Sequence, residues 1–147
     1  MLERIVTVSR AGPEFGPEFG LEALYGLIRE AHVQNVRGGL TGGLVLLDGW
    51  IAQVLEGSPA PVAFAYGRLR QDRRHGALEL RAREPALCRL FPGQAMALRT
   101  RACLDPALLE AFAYRPGFPV GNFPSDVLVE FLVQACHREP GVRRASR

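Results

Sequence analysis

The sequence predicts an α+β fold with five strands, two long helices and a group of shorter helices toward the C-terminus. Runs of β-branched and apolar residues of strand length recur along the chain. Longer segments between them carry apolar residues at helical spacing, and stretches rich in glycine and proline separate the two kinds of segment. A chain of 147 residues has the size of one domain with a buried core.

The first strand and the first long helix are predicted near the N-terminus. Arg4–Ser9 (R-I-V-T-V-S) is rich in β-branched residues, which indicates a strand. Gly12–Gly20 contains the tetrapeptide PEFG twice in tandem, and its two prolines and three glycines predict an exposed loop. Leu21–Val33 repeats apolar residues at i, i+3 and i+4, which predicts an amphipathic helix.

A β-hairpin and the second long helix are predicted next. Leu40–Leu47 and Trp50–Glu56 are apolar runs of strand length, and the Asp48-Gly49 pair between them is typical of a two-residue hairpin turn. A Gly-Ser-Pro stretch ends the hairpin, and Val62–Arg70 then follows as a helix.

The rest of the chain supplies two strands and two shorter helices. We expect strands at Leu78–Arg83 and Ala95–Arg101, and helices at Asp105–Ala113 and Ser125–His137. The order βαββαββ followed by short helices is that of a ferredoxin-like fold. Right-handed crossovers place both long helices on one sheet face, with a cleft between them above the first and third strands. Residues 1–101 are expected to form the main domain, and residues 102–147 a helical extension on the far face of the sheet.

The composition argues against several classes of function. The net charge is only +3, and the 18 basic residues, all arginine, are not concentrated on one element with aromatic residues between them, as in a nucleic-acid-binding protein. No apolar run approaches the ~20 residues of a membrane span, and the N-terminus does not resemble a signal peptide. The three cysteines lack metal-ligand spacing and suit a reducing compartment. We therefore expect a cytoplasmic protein that binds neither nucleic acid nor membrane.

Two amide side chains are candidates for ligand binding. Gln53 alternates with large apolar residues on one face of a predicted buried strand, where an unsatisfied amide costs ~1–3 kcal/mol. It is either a core amide with protein partners or a ligand-binding group. Asn35 lies near the predicted end of the first helix, beside the same cleft, where it is either a helix-end residue or a second binding amide. On pattern alone, Met96 and Thr7 are ordinary core and strand residues.

Six segments, taken together and in order, carry a family resemblance. They are R-I-V-T-V-S-R-A at 4–11, Gln34-Asn35, G-L-T-G at 39–42, Q-V-L-E-G at 53–57, D-R-R-H at 72–75 and F-P-G-Q-A-M at 91–96. The chain resembles the BLUF family, the sensors of blue light using FAD, across about residues 4–101. The G-L-T-G and Q-V-L-E-G pair at this spacing is the most specific part.

The resemblance implies a flavin, FAD or alternatively FMN, that lies between the two long helices. In the family, amides at the positions of Asn35 and Gln53 hydrogen-bond the flavin ring, whose polar edge offers both acceptors and a donor that a carboxamide can match. Leu27 and Ile28 are expected to cover the ring faces. Met96 matches a conserved methionine of the F-P-x-x-x-M motif.

The resemblance also implies a position for the flavin tail. Arg68, Arg74 and His75, expected at the end of the second long helix, are placed by analogy near the ribityl and phosphate portion. Charge-assisted hydrogen bonds suit a phosphate. A solvated helix end is the alternative explanation for each of these residues.

The chain departs from the family at two positions. Thr7 occupies the place of a first-strand tyrosine, which in the family is the electron and proton donor to the excited flavin. Gln94 replaces a common tryptophan, although Met96 is kept. We therefore expect a flavin-binding sensor whose light response is altered or lost.

Two other functions are compatible with a ferredoxin-like scaffold. A flavin-free regulatory or adaptor module on the same scaffold explains the lost tyrosine. An enzyme on the ferredoxin-like scaffold, such as an acylphosphatase, needs a phosphate-cradling loop after the first strand, where this chain has the PEFG repeat. We therefore expect no enzymatic activity, and a sensor that passes its signal to a separate regulatory protein. The last helix also predicts a homodimer through its apolar residues Val127, Leu128, Phe131 and Leu132.

Overall fold

The structure is a computed structural model that describes residues 1–13, 22–115 and 118–137. Most of the predicted PEFG loop, Gly12–Gly20, lies outside the described residues, as does the segment 138–147.

A five-stranded mixed sheet forms the centre of the molecule. Its strands are β1 (Leu2–Ala11), β2 (Thr41–Leu47), β3 (Trp50–Gly57), β4 (His75–Ala86) and β5 (Ala97–Thr100). The order across the sheet is β4-β1-β3-β2-β5, and all neighbours are antiparallel except β2 and β5, which are parallel. This architecture confirms the predicted α+β, ferredoxin-like fold.

Four α-helices accompany the sheet in the described part of the chain: α1 (Glu22–Gly38), α2 (Pro59–Gln71), α3 (Pro106–Ala111) and α4 (Ser125–His137). Helix α1 continues beyond the predicted end at Val33, so Asn35 lies inside the helix. The helix ends at Gly38, and the next residue, Gly39, has a φ of 65°, which glycine readily adopts. The amide of Leu40 then donates to the carbonyl of Asn35 at 2.8 Å, which closes the last turn.

The β2–β3 hairpin confirms the turn predicted from the Asp-Gly pair. Asp48 has φ 50° and Gly49 has φ 83°. Two consecutive positive φ values are the signature of a type I′ turn, which matches the right-handed twist of the strands. The hairpin register pairs Leu47 with Trp50 and Leu44 with Gln53.

Helices α1 and α2 pack on one face of the sheet, here called the helix face. Its core consists of Ile5, Leu40, Leu44, Ile51, Leu55, Val62 and Met96. Strand alternation explains the composition, because the odd-numbered residues of β1 and β3 point to this face. The prediction that both long helices share one face is therefore confirmed.

Helix α4 covers the opposite face of the sheet, here called the α4 face. Leu128, Phe131 and Leu132 are fully buried there within the chain, against strand residues such as Val45 and Val54. These apolar side chains are therefore not available for a second copy, and the homodimer stays a prediction without their support. An amphipathic helix must cover its apolar side, and the free face of the sheet provides the cover.

The close approach of α4 depends on a glycine in β2. A Cβ added at Gly43 would lie 2.7 Å from Cys136 Sγ and 2.7 Å from Phe91. Helix α4 thus shares one core with the sheet, while the predicted domain boundary at residue 101 stays a prediction. No helix in the described ranges is long and apolar enough to span a membrane.

Candidate functional site

A cleft of about 100 Å³ lies between α1 and α2 on the helix face. The candidate residues that line it are Leu27, Asn35, Gln53, Arg68 and Arg74. They come from α1, β3, α2 and the turn after α2, so the fold brings together side chains that are distant in sequence. This cleft is the α1/α2 cleft below.

Gln53 forms part of the floor of the α1/α2 cleft. Its neighbours across the sheet are Thr7 on β1 and Leu44 on β2. The side chain is only 4% exposed, and its Oε1 is buried without a hydrogen-bond partner among the described residues. Because an unmade hydrogen bond of this kind costs ~1–3 kcal/mol, this oxygen is suited to accept from a bound group. An orphaned acceptor facing a cleft fits the N–H donor of a flavin ring.

Asn35 also borders the α1/α2 cleft, on the helix that forms one wall. The residue is 4% exposed, and its Nδ2 donates to the carbonyl of Ala95 at 2.6 Å. This bond ties α1 to the segment just before β5. Because only one N–H of Asn35 is used in this bond, its amide oxygen and its second N–H are left for a ligand.

Met96, which follows Ala95, is buried in the helix-face core and does not line the cleft.

Thr7 lies directly opposite Gln53 in the β1–β3 register. It is 2% exposed, and its position between the α4-face residues Val6 and Val8 directs its side chain to the helix face. A larger side chain at this position would extend toward Gln53. Thr7 itself does not line the cleft.

The two arginines of the cleft differ in their pairing. Arg74 donates to both carboxylate oxygens of Asp72 and, at 2.7 Å, to Glu30 on α1. Burial alone would raise the pKa of Asp72, but the hydrogen bonds and charge of Arg74 outweigh it and lower that pKa. Arg68 is exposed and forms no ion pair within the described residues. Arg68 is thus the better placed of the two to meet an added phosphate.

Besides Thr7 and Met96, two further predicted site residues, Ile28 and His75, lie away from the cleft lining. Ile28 packs against the helix-face core. His75 was expected at the end of the second helix, but α2 ends at Gln71 and His75 is the first residue of β4. It is 6% exposed, and its Nδ1 lies 3.0 Å from Ser9 Oγ. The D-R-R-H motif thus continues from a turn into a strand, which buries its last residue.

The burial of His75 predicts a loss of stability in mild acid. Burial lowers the pKa of His75, against the opposing attraction of Asp72, and Arg74 adds to the lowering. The unfolded chain therefore takes up the proton first as the pH falls below about 6.5, the ordinary histidine pKa. The free energy of unfolding should decrease from pH 7.5 to 5.5 in urea titrations, with the slope set by the extra proton bound in the unfolded state.

His75→Gln should make that pH dependence shallower, since the substituted chain has no buried imidazole to charge. His32→Gln is the matched control, because His32 is exposed on α1. An equal pH dependence in the two variants and the unmodified protein would contradict this assignment.

Sequence reasoning missed Glu56, a fully buried carboxylate at the end of β3. It accepts hydrogen bonds from the backbone amides of Leu90 and Phe91, at 3.0 and 2.7 Å, and from Arg4 and Thr41. Glu56 thereby holds the connection that leads from β4 to the Ala95-Met96 pair. The burial of Glu56 could have been predicted from the sequence, because strand alternation within the apolar run of β3 places residue 56 on the buried α4 face.

Gln94, the replacement for the family tryptophan, does not line the α1/α2 cleft. Its Nε2 donates to the carbonyl of Cys136 on α4 at 3.3 Å. Its Oε1 is buried without a partner among the described residues. This position therefore contacts the last turn of α4.

Solved structures provide similar folds. The structure titled "BlsA photo-activated state" superposes with a TM-score of 0.82 at 20% identity, over 95% of this chain and 98% of that one. "BlrB - a BLUF protein, dark state structure" gives 0.72 at 23% identity, over 91% and 93% of the two chains. "Klebsiella pneumoniae BlrP1 with FMN and cyclic diGMP, no metal ions" gives 0.67 at 25% identity, over 90% of this chain but only 34% of that chain.

Sequence comparison assigns the family. No curated protein sequence matches the chain. The family model described as "Sensors of blue-light using FAD" matches residues 2–97, which include β1 through the start of β5 and all of the α1/α2 cleft. This match, which covers well over half of the chain, shows that the chain belongs to the BLUF family of flavin-binding, blue-light-sensing domains.

Proposed function

We propose that the chain holds FAD, or alternatively FMN, in the α1/α2 cleft, and that it lacks the usual light response of the family. The observation that carries the proposal is the buried Oε1 of Gln53 at the floor of the cleft, which has no hydrogen-bond partner in the described part of the chain. Asn35 lines the same cleft and provides a second amide side chain. A flavin bound there would supply the absorption of blue light.

The residues of the cleft have separate parts in binding. Gln53 presents an acceptor and an N–H to the polar edge of the ring, and Asn35 presents a second carboxamide. Leu27 is buried and provides an apolar wall for the ring. Arg68, exposed at the cleft, is the candidate for the phosphate of the flavin tail, while Arg74 braces α1 against the turn after α2.

Thr7 is the reason for expecting no usual photochemistry. Its hydroxyl lacks the low-energy redox chemistry of a phenol, and it faces Gln53 across the β1–β3 pair. The described tyrosines are Tyr25 on α1, Tyr66 on α2 and Tyr114 before the final helix, so none occupies the first strand. Blue illumination of the flavin-bound protein should therefore produce no reversible red shift of the flavin spectrum.

Gln53→Leu tests the role of the orphaned amide. Removing the hydrogen bonds of the amide should raise the flavin dissociation constant about tenfold, equivalent to about 1.4 kcal/mol, measured by titrating the flavin-depleted protein with FAD. Gln134→Leu is the control, because Gln134 lies on α4 and bonds only to Glu130 in the described structure. Unchanged FAD affinity in Gln53→Leu would remove Gln53 from the site.

A flavin-free adaptor remains the competing function, and one observation favours it. The cleft of about 100 Å³ is smaller than the ~300–1,000 Å³ of typical small-molecule sites, so α1 and α2 must separate to admit a ring. A colourless purified protein that takes up neither FAD nor FMN would support the adaptor. A yellow protein with structured flavin absorption would support the sensor.

We further propose that the chain is a cytoplasmic homodimer and not an enzyme, and that it passes its signal through α4 to a separate regulatory protein. The proposed route through α4 is supported by a set of contacts from the segment around β5 to the last turn of α4. Gln94 donates to the carbonyl of Cys136, and Arg99 donates to the carbonyls of Ala135 and Cys136. Sedimentation velocity with and without bound flavin tests the dimer; a monomer in both states would rule it out.

A further inference from the structure

A second cavity of about 510 Å³ lies at the hairpin end of the sheet, away from the α1/α2 cleft. Its lining is Arg10, Asp48, Trp50, Arg101, Tyr114 and Pro119. The aromatic members pack against the core of the α4 face, on the side of the sheet opposite the α1/α2 cleft. We call it the hairpin cavity. Among the residues that the structure describes, it shares no lining residue with the α1/α2 cleft.

One side of the hairpin cavity is a stacked arginine and tryptophan. Arg10 and Trp50 are paired across β1 and β3, and the guanidinium carbon of Arg10 lies 4.4 Å from the centroid of the Trp50 ring. Arg10 is exposed and forms no ion pair with a carboxylate in the described ranges. Stacking uses the face of the guanidinium and leaves its N–H edges free for an anion.

The other side of the cavity is organised by Asp48. Its carboxylate accepts from Arg101 at 2.6 Å and from the hydroxyl of Tyr114. Burial, together with the charge of Asp48, raises the pKa of Tyr114 to about 12, so the phenol stays protonated. The described lining therefore contains one carboxylate and two guanidinium groups, which gives these residues a net positive charge.

The positions of Trp50 and Asp48 in the hairpin cavity are fixed by the surrounding backbone. A Cβ added at Gly121 would come within 2.5 Å of the Trp50 ring, so this glycine lets the chain pack directly on the indole. The type I′ turn at Asp48 and Gly49 fixes the position of the carboxylate. A pocket whose polar groups are already in place loses less free energy when it orders a ligand.

We propose that the hairpin cavity binds a small ring compound that carries a phosphate group, of about mononucleotide size. The guanidinium groups of Arg10 and Arg101 both line the cavity, and a phosphate can accept charge-assisted hydrogen bonds from such groups. Trp50, Tyr114 and Pro119 provide flat apolar surface for the ring. The volume lies within the ~300–1,000 Å³ range of small-molecule sites. The site is independent of the flavin proposal.

Tryptophan fluorescence tests the proposal directly, because Trp50 is the only tryptophan of the chain. The full chain, with whatever flavin it carries, is titrated with AMP, adenosine or inorganic phosphate. AMP should change the emission of Trp50 saturably and bind about tenfold or more tighter than either fragment, since it engages both the ring surface and the arginines. The affinity for AMP should fall as salt is added.

Substitutions locate the binding. Arg10→Gln and Arg101→Gln should each weaken AMP binding about tenfold or more, measured by calorimetry so that the readout does not depend on the tryptophan environment. Arg10→Lys keeps the charge but loses the planar stack, and should give an intermediate loss. Arg29→Gln on the exposed side of α1 is the control and should bind AMP normally.

Three results would overturn the proposal: no AMP binding at millimolar concentration, equal affinity for AMP and inorganic phosphate, or unchanged affinity in both Arg10→Gln and Arg101→Gln. Circular dichroism of each variant identifies any loss of fold. Failure here leaves the flavin proposal untouched, because flavin binding is read separately from the absorption spectrum.

Discussion

Thr7→Tyr is expected to give the flavin-bound protein a reversible red shift of its absorption under blue light, a response that we expect the unmodified chain to lack. Residue 7 lies opposite Gln53 and points to the helix face, so a phenol there would extend toward the amide at the floor of the α1/α2 cleft. It would restore an oxidisable group with a transferable proton beside Gln53. The measurement is the difference spectrum before and after illumination, followed by recovery in the dark.

Thr7→Phe is the matched control for this gain of function. It adds nearly the same volume without the hydroxyl, at a similar cost of about 1–3 kcal/mol for enlarging a side chain that is 2% exposed. A shift in Thr7→Tyr and none in Thr7→Phe would assign the response to the phenol. A shift already present in the unmodified protein would show that another residue does the work of the missing tyrosine.

Glu56→Ala is expected to lower the free energy of unfolding by about 3–5 kcal/mol, a large effect for one side chain. The substitution leaves the backbone amides of Leu90 and Phe91 without their acceptor and Arg4 without its buried partner. Unpaired buried groups of this kind carry the full desolvation penalty. Urea unfolding monitored by circular dichroism gives the difference.

Two further variants separate charge from shape at this position. Glu56→Gln keeps one acceptor oxygen but directs an N–H₂ group at existing donors, so we expect an intermediate loss. Glu110→Ala, at an exposed position on α3, should change stability by no more than about 0.5 kcal/mol. If Glu56→Ala costs as little as Glu110→Ala, the carboxylate does not hold the β4–β5 connection.

Glu56→Ala should also weaken flavin binding, although residue 56 does not line the α1/α2 cleft. The connection that Glu56 holds leads to Ala95, whose carbonyl accepts from Asn35. Without the Glu56 carboxylate this connection is no longer held in place, so the Asn35 amide that bonds to it can move. This part of the effect is measured by FAD titration under conditions where the variant is fully folded.

Local patterns in the sequence were sufficient to predict the fold class. The periodicity of Ser125–His137 predicted α4 with the bounds that the structure has, and the Asp48-Gly49 pair predicted the hairpin turn. These features depend on residues a few positions apart in the sequence, so they can be predicted without knowing which distant segments they will contact. The motif order across residues 4–101 identified the family for the same reason, and the match to residues 2–97 confirmed it.

The tertiary structure alone decided which polar side chains are free and which are already paired. Asn35 meets a carbonyl 60 residues away and His75 meets Ser9 66 residues away. Arg74 is paired by Glu30, which left Arg68 as the better phosphate candidate. Burial, and hence the pKa and hydrogen-bond partners of a group, is set by segments distant in the chain. For that reason the sequence determined the scaffold and the residue types of the site, whereas the pairing of those residues came from the packing of the sheet and helices.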